Sequence, residues 1–276
     1  MRSALLRGRD HVLLDAVEAQ AEGPVAVALS RGGAAKTYGH QEPNEDAALF
    51  AIGDAGVLVA VADGHYGASG AEQALEALRS EAAPAWLGPE GPGDEAAWRG
   101  EIVGRFAEID AAILLRARDA GLMAAPTTLS LVVARPAEQR FWHASVGDSH
   151  VFEVHREGAV ARDLSARALL PGRPGYLGDG FASRAELADR VETGSARDTG
   201  LCAIALATDG LSEVGIGVAD PASALVELAT GPVSAEPGAA LRPLALARGL
   251  VEIANAAHRR HRSGDNIASA VVWLED

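Results

Sequence analysis

Short apolar runs bounded by Gly, Pro, Asp and Asn recur along the chain, and they predict strands at residues 25–29, 47–52, 57–62, 128–134, 141–146, 151–154, 201–207 and 267–273. Asp54-Ala55-Gly56, Pro136-Ala137-Glu138-Gln139 and Arg156-Glu157-Gly158 have the composition and length of hairpin turns. A different period marks the helices. Ile102, Phe106, Ile109 and Ile113 form a stripe at helical spacing and predict one long helix over 95–119. Leu244, Ala247, Val251 and Ala254 predict a final helix ending near Arg262. Ser69 with Glu72 reads as a capping box for a helix running to about Leu87, and Ser183 with Glu186 as another for a short helix. Asp220 before Pro221 starts one more.

Groups of strands thus alternate with pairs of helices. That order predicts an α+β fold, a four-layer α-β-β-α sandwich in which two antiparallel sheets are flanked by helix pairs. Residues 201–207 are apolar throughout, as suits a strand covered on both faces. Neither a repeat nor a linker-like shift in composition interrupts the chain, so 1–276 reads as one domain. Residues 164–200 read as loop-rich.

Composition narrows the class. With 276 residues, 48% of them hydrophobic, the chain can bury a sizeable core. Its apolar runs fall well short of the roughly 20 residues of a membrane-spanning helix. Arg2, Arg7, Arg9 and Asp10 interrupt the N-terminus where a secretory signal would be apolar, so a cytoplasmic location and no membrane association are expected. The one cysteine, Cys202, sits in an apolar run and reads as a small buried side chain, leaving no disulfide or thiolate metal site. A formal net charge of -14 opposes binding to nucleic acid or anionic lipid. The excess acid either keeps the surface soluble or, where it clusters, calls for bound cations.

The candidate chemistry lies where apolar runs meet Asp beside Gly. Asp63-Gly64, Gly147-Asp148, Asp209-Gly210 and Gly264-Asp265 each adjoin a predicted strand. Taken singly, each is an ordinary turn signal, and Asp179-Gly180 and Gly93-Asp94 read as turns only. Together, acids at the ends of buried strands stand on a rigid platform and repel one another unless cations sit among them. Oxygen ligands without clustered Cys or His suit hard ions such as Mg²⁺ or Mn²⁺. Glycine beside the acid lets backbone and ion approach closely. Asn44-Glu45-Asp46, before the strand at 47–52, adds two more acids.

In order, Asn-Glu-Asp at 44–46, Asp-Gly-His at 63–65, Thr127-Thr128 with Gly147-Asp148-Ser149, Thr-Asp-Gly-Leu at 208–211 and Gly-Asp-Asn at 264–266 resemble the motifs of the PP2C-type (PPM) metal-dependent protein phosphatases. The resemblance spans about Asn44 to Trp273. It implies hydrolysis of phosphoserine and phosphothreonine in a phosphorylated protein substrate, by direct attack of metal-activated water, with a Ser/Thr kinase or that kinase's target as candidate partner. Two or three Mn²⁺ or Mg²⁺ are implied as cofactors. Asp63 would bridge two ions, the Gly64 carbonyl would ligate one, and Asp209 and Asp265 would complete the other. Glu45 and Asp46 would act largely through metal-bound waters, Asp148 would join Asp209 at a third ion, and Thr127 and Thr128 would support the site. His65 stands where some members carry a proposed general acid; the alternative is a histidine that packs near the loop.

Departures from the family accompany the matches. Gln41 occupies the place of the usual phosphate-gripping arginine. His40, Lys36, Arg31 or the run His258-Arg259-Arg260-His261-Arg262 are candidates to compensate, although that run also reads as a solvated helix C-terminus. His150 replaces an arginine common after Gly-Asp-Ser, and the flap-like segment 164–200 lacks the usual Asp-His-Ser. Two other readings therefore stand beside the first: a catalytically weak pseudophosphatase that binds phosphoproteins, and a phosphatase of small metabolites. No glycine-rich nucleotide loop occurs.

Overall fold

The computed structural model describes residues 1–37, 39–165, 175–236 and 238–274. Within them, the apolar runs form two six-stranded sheets whose paired strands are all antiparallel. The first has the order β1 (Arg2–Arg7), β4 (Ala47–Ile52), β5 (Val57–Ala62), β6 (Leu129–Arg135), β7 (Arg140–Val146), β10 (Glu192–Arg197). The second has the order β2 (Glu18–Glu22), β3 (Val25–Ser30), β12 (Ile267–Trp273), β11 (Leu201–Ala207), β8 (His150–His155), β9 (Val160–Asp163).

Successive side chains of a strand point to opposite faces, and both faces here are covered. Val27, Leu29, Phe50, Val59, Val132, Ile204 and Val272 pack between the sheets. Their sequence neighbours Leu49, Leu58, Leu131 and Val133 face outward onto Trp86, Trp98, Ile102 and Phe106. On the far side, Ala203, Ala205 and Val271 meet Leu225, Leu246, Leu250 and Ala254. The result is the expected α-β-β-α sandwich. Its central strands are continuous apolar runs because neither face meets water.

The outer layers are α1 (Ser69–Ala77), α2 (Ala83–Trp86), α3 (Glu95–Ala120) and α4 (Arg184–Arg190) over the first sheet, with α5 (Pro221–Thr230) and α6 (Arg242–His261) over the second. A π-helical turn over Leu78–Ala82 joins α1 to α2, ahead of Pro84, which has no N–H to donate. Ser183 and Asp220 cap α4 and α5 as expected. Asp94 is more than a turn residue, because its carboxylate accepts the Ala97 N–H and caps α3. The capping box at Ser69 does not form. Ser69 is already helical, Glu72 pairs with Arg9, and the Ala68 N–H is taken by Glu42 from another loop at 2.7 Å.

The stretch 164–200 is less irregular than its composition predicts. Residues 166–174 lie outside the described residues, but the remainder contains α4 and β10, the latter paired with β7. Cys202 is buried, as expected. Among the described residues, no helix is long and apolar enough to cross a membrane.

Candidate metal centre

One rim of the sandwich gathers the acidic motifs. Asp63 leaves the end of β5, and the start of β6 clamps it there. The Asp63 N–H donates to Thr128 Oγ1 at 3.0 Å, the Thr128 N–H donates to the Asp63 carbonyl at 3.0 Å, and Thr127 Oγ1 donates to the same carbonyl at 2.8 Å. Gly64 bridges to Thr127. Asp46, fully buried, precedes β4; its Oδ2 accepts from Thr208 Oγ1 at 2.7 Å, and Thr208 in turn accepts the Ala268 N–H. Asp209 opens a 3-10 turn after β11, and Asp265 precedes β12.

Glu45 is held from both sides. Its Oε1 accepts the N–H groups of Gln41 (2.9 Å) and Glu42 (3.1 Å), while its own N–H donates to Asn266 Oδ1. Asn266 also donates to the Arg31 and Pro43 carbonyls, stitching the loops on either side of the cluster together. Two glycines let those loops touch. A methyl group at Gly210 would lie 1.8 Å from Asn266 O, and one at Gly264 would lie 1.9 Å from Ala34 O.

These segments enclose an open cavity of about 340 Å³ lined by Lys36, Glu45, Asp63, His65, Tyr66, Tyr176, Asp209, Glu213 and Asp265, among others. Asp148 stands beside it, with Oδ2 accepting from the Tyr176 hydroxyl at 3.1 Å. Ligand atoms of Asp63, His65 and Asp148 lie within 4.8 Å of one another. Asp46 Oδ1, Asp148 Oδ1, Asp209 Oδ1 and His65 Nε2 are buried, and among the described residues no hydrogen-bond partner reaches them. Orphaned buried oxygens are rare in proteins and costly.

The electrostatics agree. Burial first, then repulsion from Asp46 and Asp265, holds Asp63 well above the usual carboxylate range. Burial and repulsion from Asp63 and Asp265 do the same to Asp209. Burial lifts Asp46 from 3.8 to about 7 against the pull of Lys36. A divalent cation answers both the missing partners and the repulsion, and the oxygen-rich donor set suits Mg²⁺ or Mn²⁺. The residues therefore fit such ions, with a His65 ring nitrogen as one further donor in reach. Burial also holds the His65 imidazole below its ordinary pKa. Its ring packs on Tyr176, with centroids 4.3 Å apart.

Neither Gln41 nor His40 lines the cavity; both are exposed, and Gln41 is bound through its main chain. Lys36 lines it instead, with Nζ 3.0 Å from Asp265 Oδ1 and 3.9 Å from Glu45 Oε2. The basic run 258–262 divides. His258 is not a solvated terminus but is fully buried, its Nε2 donating to Gly210 O at 2.8 Å and its Nδ1 accepting the Gly33 N–H at 3.3 Å. It props the Asp209 turn from beneath. Arg259 pairs with Asp15, and Arg260, His261 and Arg262 are exposed.

His150 also acts as a tie. Its Nδ1 donates to Asp163 at 2.6 Å, and its Nε2 accepts from Ser212 at 2.6 Å, linking the Asp148 loop to the Asp209 turn. Burial opposes ionisation of Asp163, but hydrogen bonds from His150 and Ser165 outweigh it and hold the carboxyl below its ordinary pKa. Tyr176 and Glu213 are cavity residues that the motif pattern does not single out. Glu213 stands four positions after Asp209 and was within reach of a helical-turn argument; nothing in the sequence marks Tyr176.

The sequence profile described as Protein phosphatase 2C matches residues 34–239. No curated protein sequence matches the chain. Among solved structures, a bacterial serine phosphatase carrying a point mutation superposes with a TM-score of 0.66 at 16% identity, over 93% of this chain and 100% of that one. The serine-threonine phosphatase 2C of Toxoplasma gondii gives 0.62 at 17%, over 94% and 99%. The serine/threonine phosphatase PstP/Ppp of Mycobacterium tuberculosis gives 0.61 at 18%, over 94% and 99%. At these identities the superpositions speak for the fold, and the profile, matched across most of the sequence, speaks for the lineage: the chain belongs to the protein phosphatase 2C family.

Proposed function

We propose that the protein is a metal-dependent phosphatase that removes phosphate from phosphoserine or phosphothreonine of other proteins. The observation that carries this reading is the set of buried, partnerless carboxylate oxygens on Asp46, Asp148 and Asp209, the last of which lines the cavity beside Asp63 and Asp265. Asp63, Asp209 and Asp265, with Asp148 and the Gly64 carbonyl, would hold two or three Mn²⁺ or Mg²⁺, and Glu45 and Asp46 would orient their hydration shells. When bound, such ions supply an acidified water for attack on phosphorus and draw charge from the phosphoryl oxygens. Lys36, the cationic side chain in the cavity lining, takes the phosphate-binding part that Gln41 does not fill. Thr127 and Thr128 hold Asp63 in place, and His258 and His150 hold the Asp209 turn. The 1–276 segment acts as one domain, and a cytoplasmic phosphoprotein is the expected partner.

In this proposal His65 stands on the leaving-group side and protonates the departing alkoxide through Nε2. Burial favours its neutral form, and a phosphate dianion in the cavity favours the protonated one. A second role has a specific observation behind it, since the Asp63, His65 and Asp148 donor atoms converge within 4.8 Å. His65→Ala separates the two. An acid lost lowers turnover of a phosphothreonine peptide more than that of an aryl phosphate and leaves Mn²⁺ affinity alone, whereas a ligand lost weakens Mn²⁺ binding and slows both substrates equally.

The deciding assay measures phosphate release from a phosphothreonine peptide and from an aryl phosphate with Mn²⁺, with Mg²⁺ and with EDTA. Metal-dependent release from both is expected. Undiminished release in EDTA would sink the metal mechanism, and metal binding without release from either substrate would overturn the phosphoprotein phosphatase reading and leave the pseudophosphatase and small-metabolite readings.

A further inference from the structure

Lys36 is the one lysine in this sequence, in which Lys and Arg together number 24. Every other strongly basic side chain is an arginine, and the single side-chain ammonium lies inside the acidic cavity. Its side chain is 5% exposed, as buried as its partners Asp265 (7%) and Glu45 (2%), and Asp46 and Asp63 are within electrostatic reach. An ammonium is a compact point charge with three donors, closer to a metal ion in size and isotropy than a planar guanidinium fork.

The ammonium is paired with Asp265 and Glu45, whereas Asp46 Oδ1, Asp148 Oδ1 and Asp209 Oδ1 have no hydrogen-bond partner among the described residues. Resting on the metal-site reading above, we infer that Lys36 is a resident cation of this site, a covalently attached counter-ion that a divalent metal must displace from Asp265 before the centre is fully loaded. A buried charge pair resists being broken, because the freed ammonium needs water or a new anion. Lys36 therefore weakens metal binding at the Asp265 position while stabilising the metal-free cluster. The position shared by Asp63, Asp148 and Asp209 loads first.

Calorimetric titration of Mn²⁺ into metal-stripped protein, without substrate, compares the wild type with Lys36→Met, which keeps the stem and removes the charge. At least one binding step tightens about tenfold or more in Lys36→Met, and the metal-free variant melts at a lower temperature, a gap that saturating Mn²⁺ closes. Lys36→Arg retains the charge and stays near the wild type. Equal or weaker Mn²⁺ binding by Lys36→Met overturns the inference, whereas no Mn²⁺ binding by the wild type overturns the metal-site reading itself. The wild type offers an independent measurement, since reductive methylation of a lysine reports on Lys36 alone. Saturating Mg²⁺ raises its methylation rate several-fold if the ammonium is displaced, and an unchanged or lower rate refutes displacement.

Discussion

The two ends of β6 hold buried polar groups of opposite kinds. At its far end Arg135, 4% exposed, donates to the carbonyls of Gly88 (2.6 Å) and Pro89 (2.9 Å) and pairs with Glu138, so the guanidinium closes the turn after α2. At its near end Thr127 and Thr128 spend their hydroxyls fixing the backbone of Asp63, and the carboxylates gathered around it keep oxygens without partners. One end is a finished network that stabilises the chain. The other is rigid but leaves buried oxygens without hydrogen-bond partners among the described residues. Buried polarity by itself thus says little; what marks the near end is that several partnerless oxygens there belong to mutually repelling carboxylates.

The largest expected effect tests the incomplete end. Asp63→Asn or Asp209→Asn should lower kcat by at least on the order of 10²–10³ while leaving the metal-free melting temperature equal or higher, because each removes one repelling charge. Asp179→Asn, at an exposed turn position outside the cavity lining, should match the wild type in both. Equal damage from Asp179→Asn would erase the distinction between ligand and turn aspartates.

Next comes pH. Asp46, raised from 3.8 to about 7, and Asp63 and Asp209, raised with it, bind protons more tightly folded than unfolded. The contribution of Asp46 is therefore fully present below about pH 4 and is lost as pH rises through about 7, and Asp63 and Asp209 act in the same direction. Metal-free protein should melt lower at pH 8 than at pH 5.5, and saturating Mn²⁺ should reverse that slope. Scanning calorimetry in EDTA and in Mn²⁺ reads both, and a flat metal-free profile would contradict the assignment.

Arg135→Met tests the finished end. It should lower stability by about 1–3 kcal/mol, a drop of several degrees in Tm, with Mn²⁺ affinity unchanged. A change in metal binding would mean that the two ends of β6 are coupled. The smallest effect belongs to Gln41→Arg. From its exposed loop above Glu45, a longer cation would reach toward the cavity and raise kcat/KM by up to about tenfold, chiefly as a lower KM. No gain in steady-state kinetics would leave the phosphate contact to Lys36.

What the sequence reveals follows the same division between complete and exposed environments. Every strand legible as an apolar run lies in a sheet interior, whereas β1, β10, β2 and β9, the edges of the two sheets, are not legible. An edge strand such as Glu18-Ala19-Gln20-Ala21-Glu22 is half solvated and carries no continuous apolar signal. The acids at strand ends are readable because rigid strands deliver them to one rim. The inward turn of Lys36, the capping of Asp148 by Tyr176 and the outward placement of Gln41 depend on loop paths that no local period encodes. His258 had a signal that its charged neighbours mask: it continues the Val251, Ala254 stripe at helical spacing.

The glycines beside Asp209 and Asp265 restrict how this chain can vary. Where a side chain would begin at Gly210 or Gly264, the backbone of another loop already passes, at Asn266 and Ala34. Any replacement there shifts a carboxylate together with its loop, so single mutational steps out of these positions are closed. Variation is easier at the cavity wall and its approach, at half-buried Ile216 and exposed Gln41. A library built on this scaffold should therefore randomise that wall and leave the interlocked turns alone.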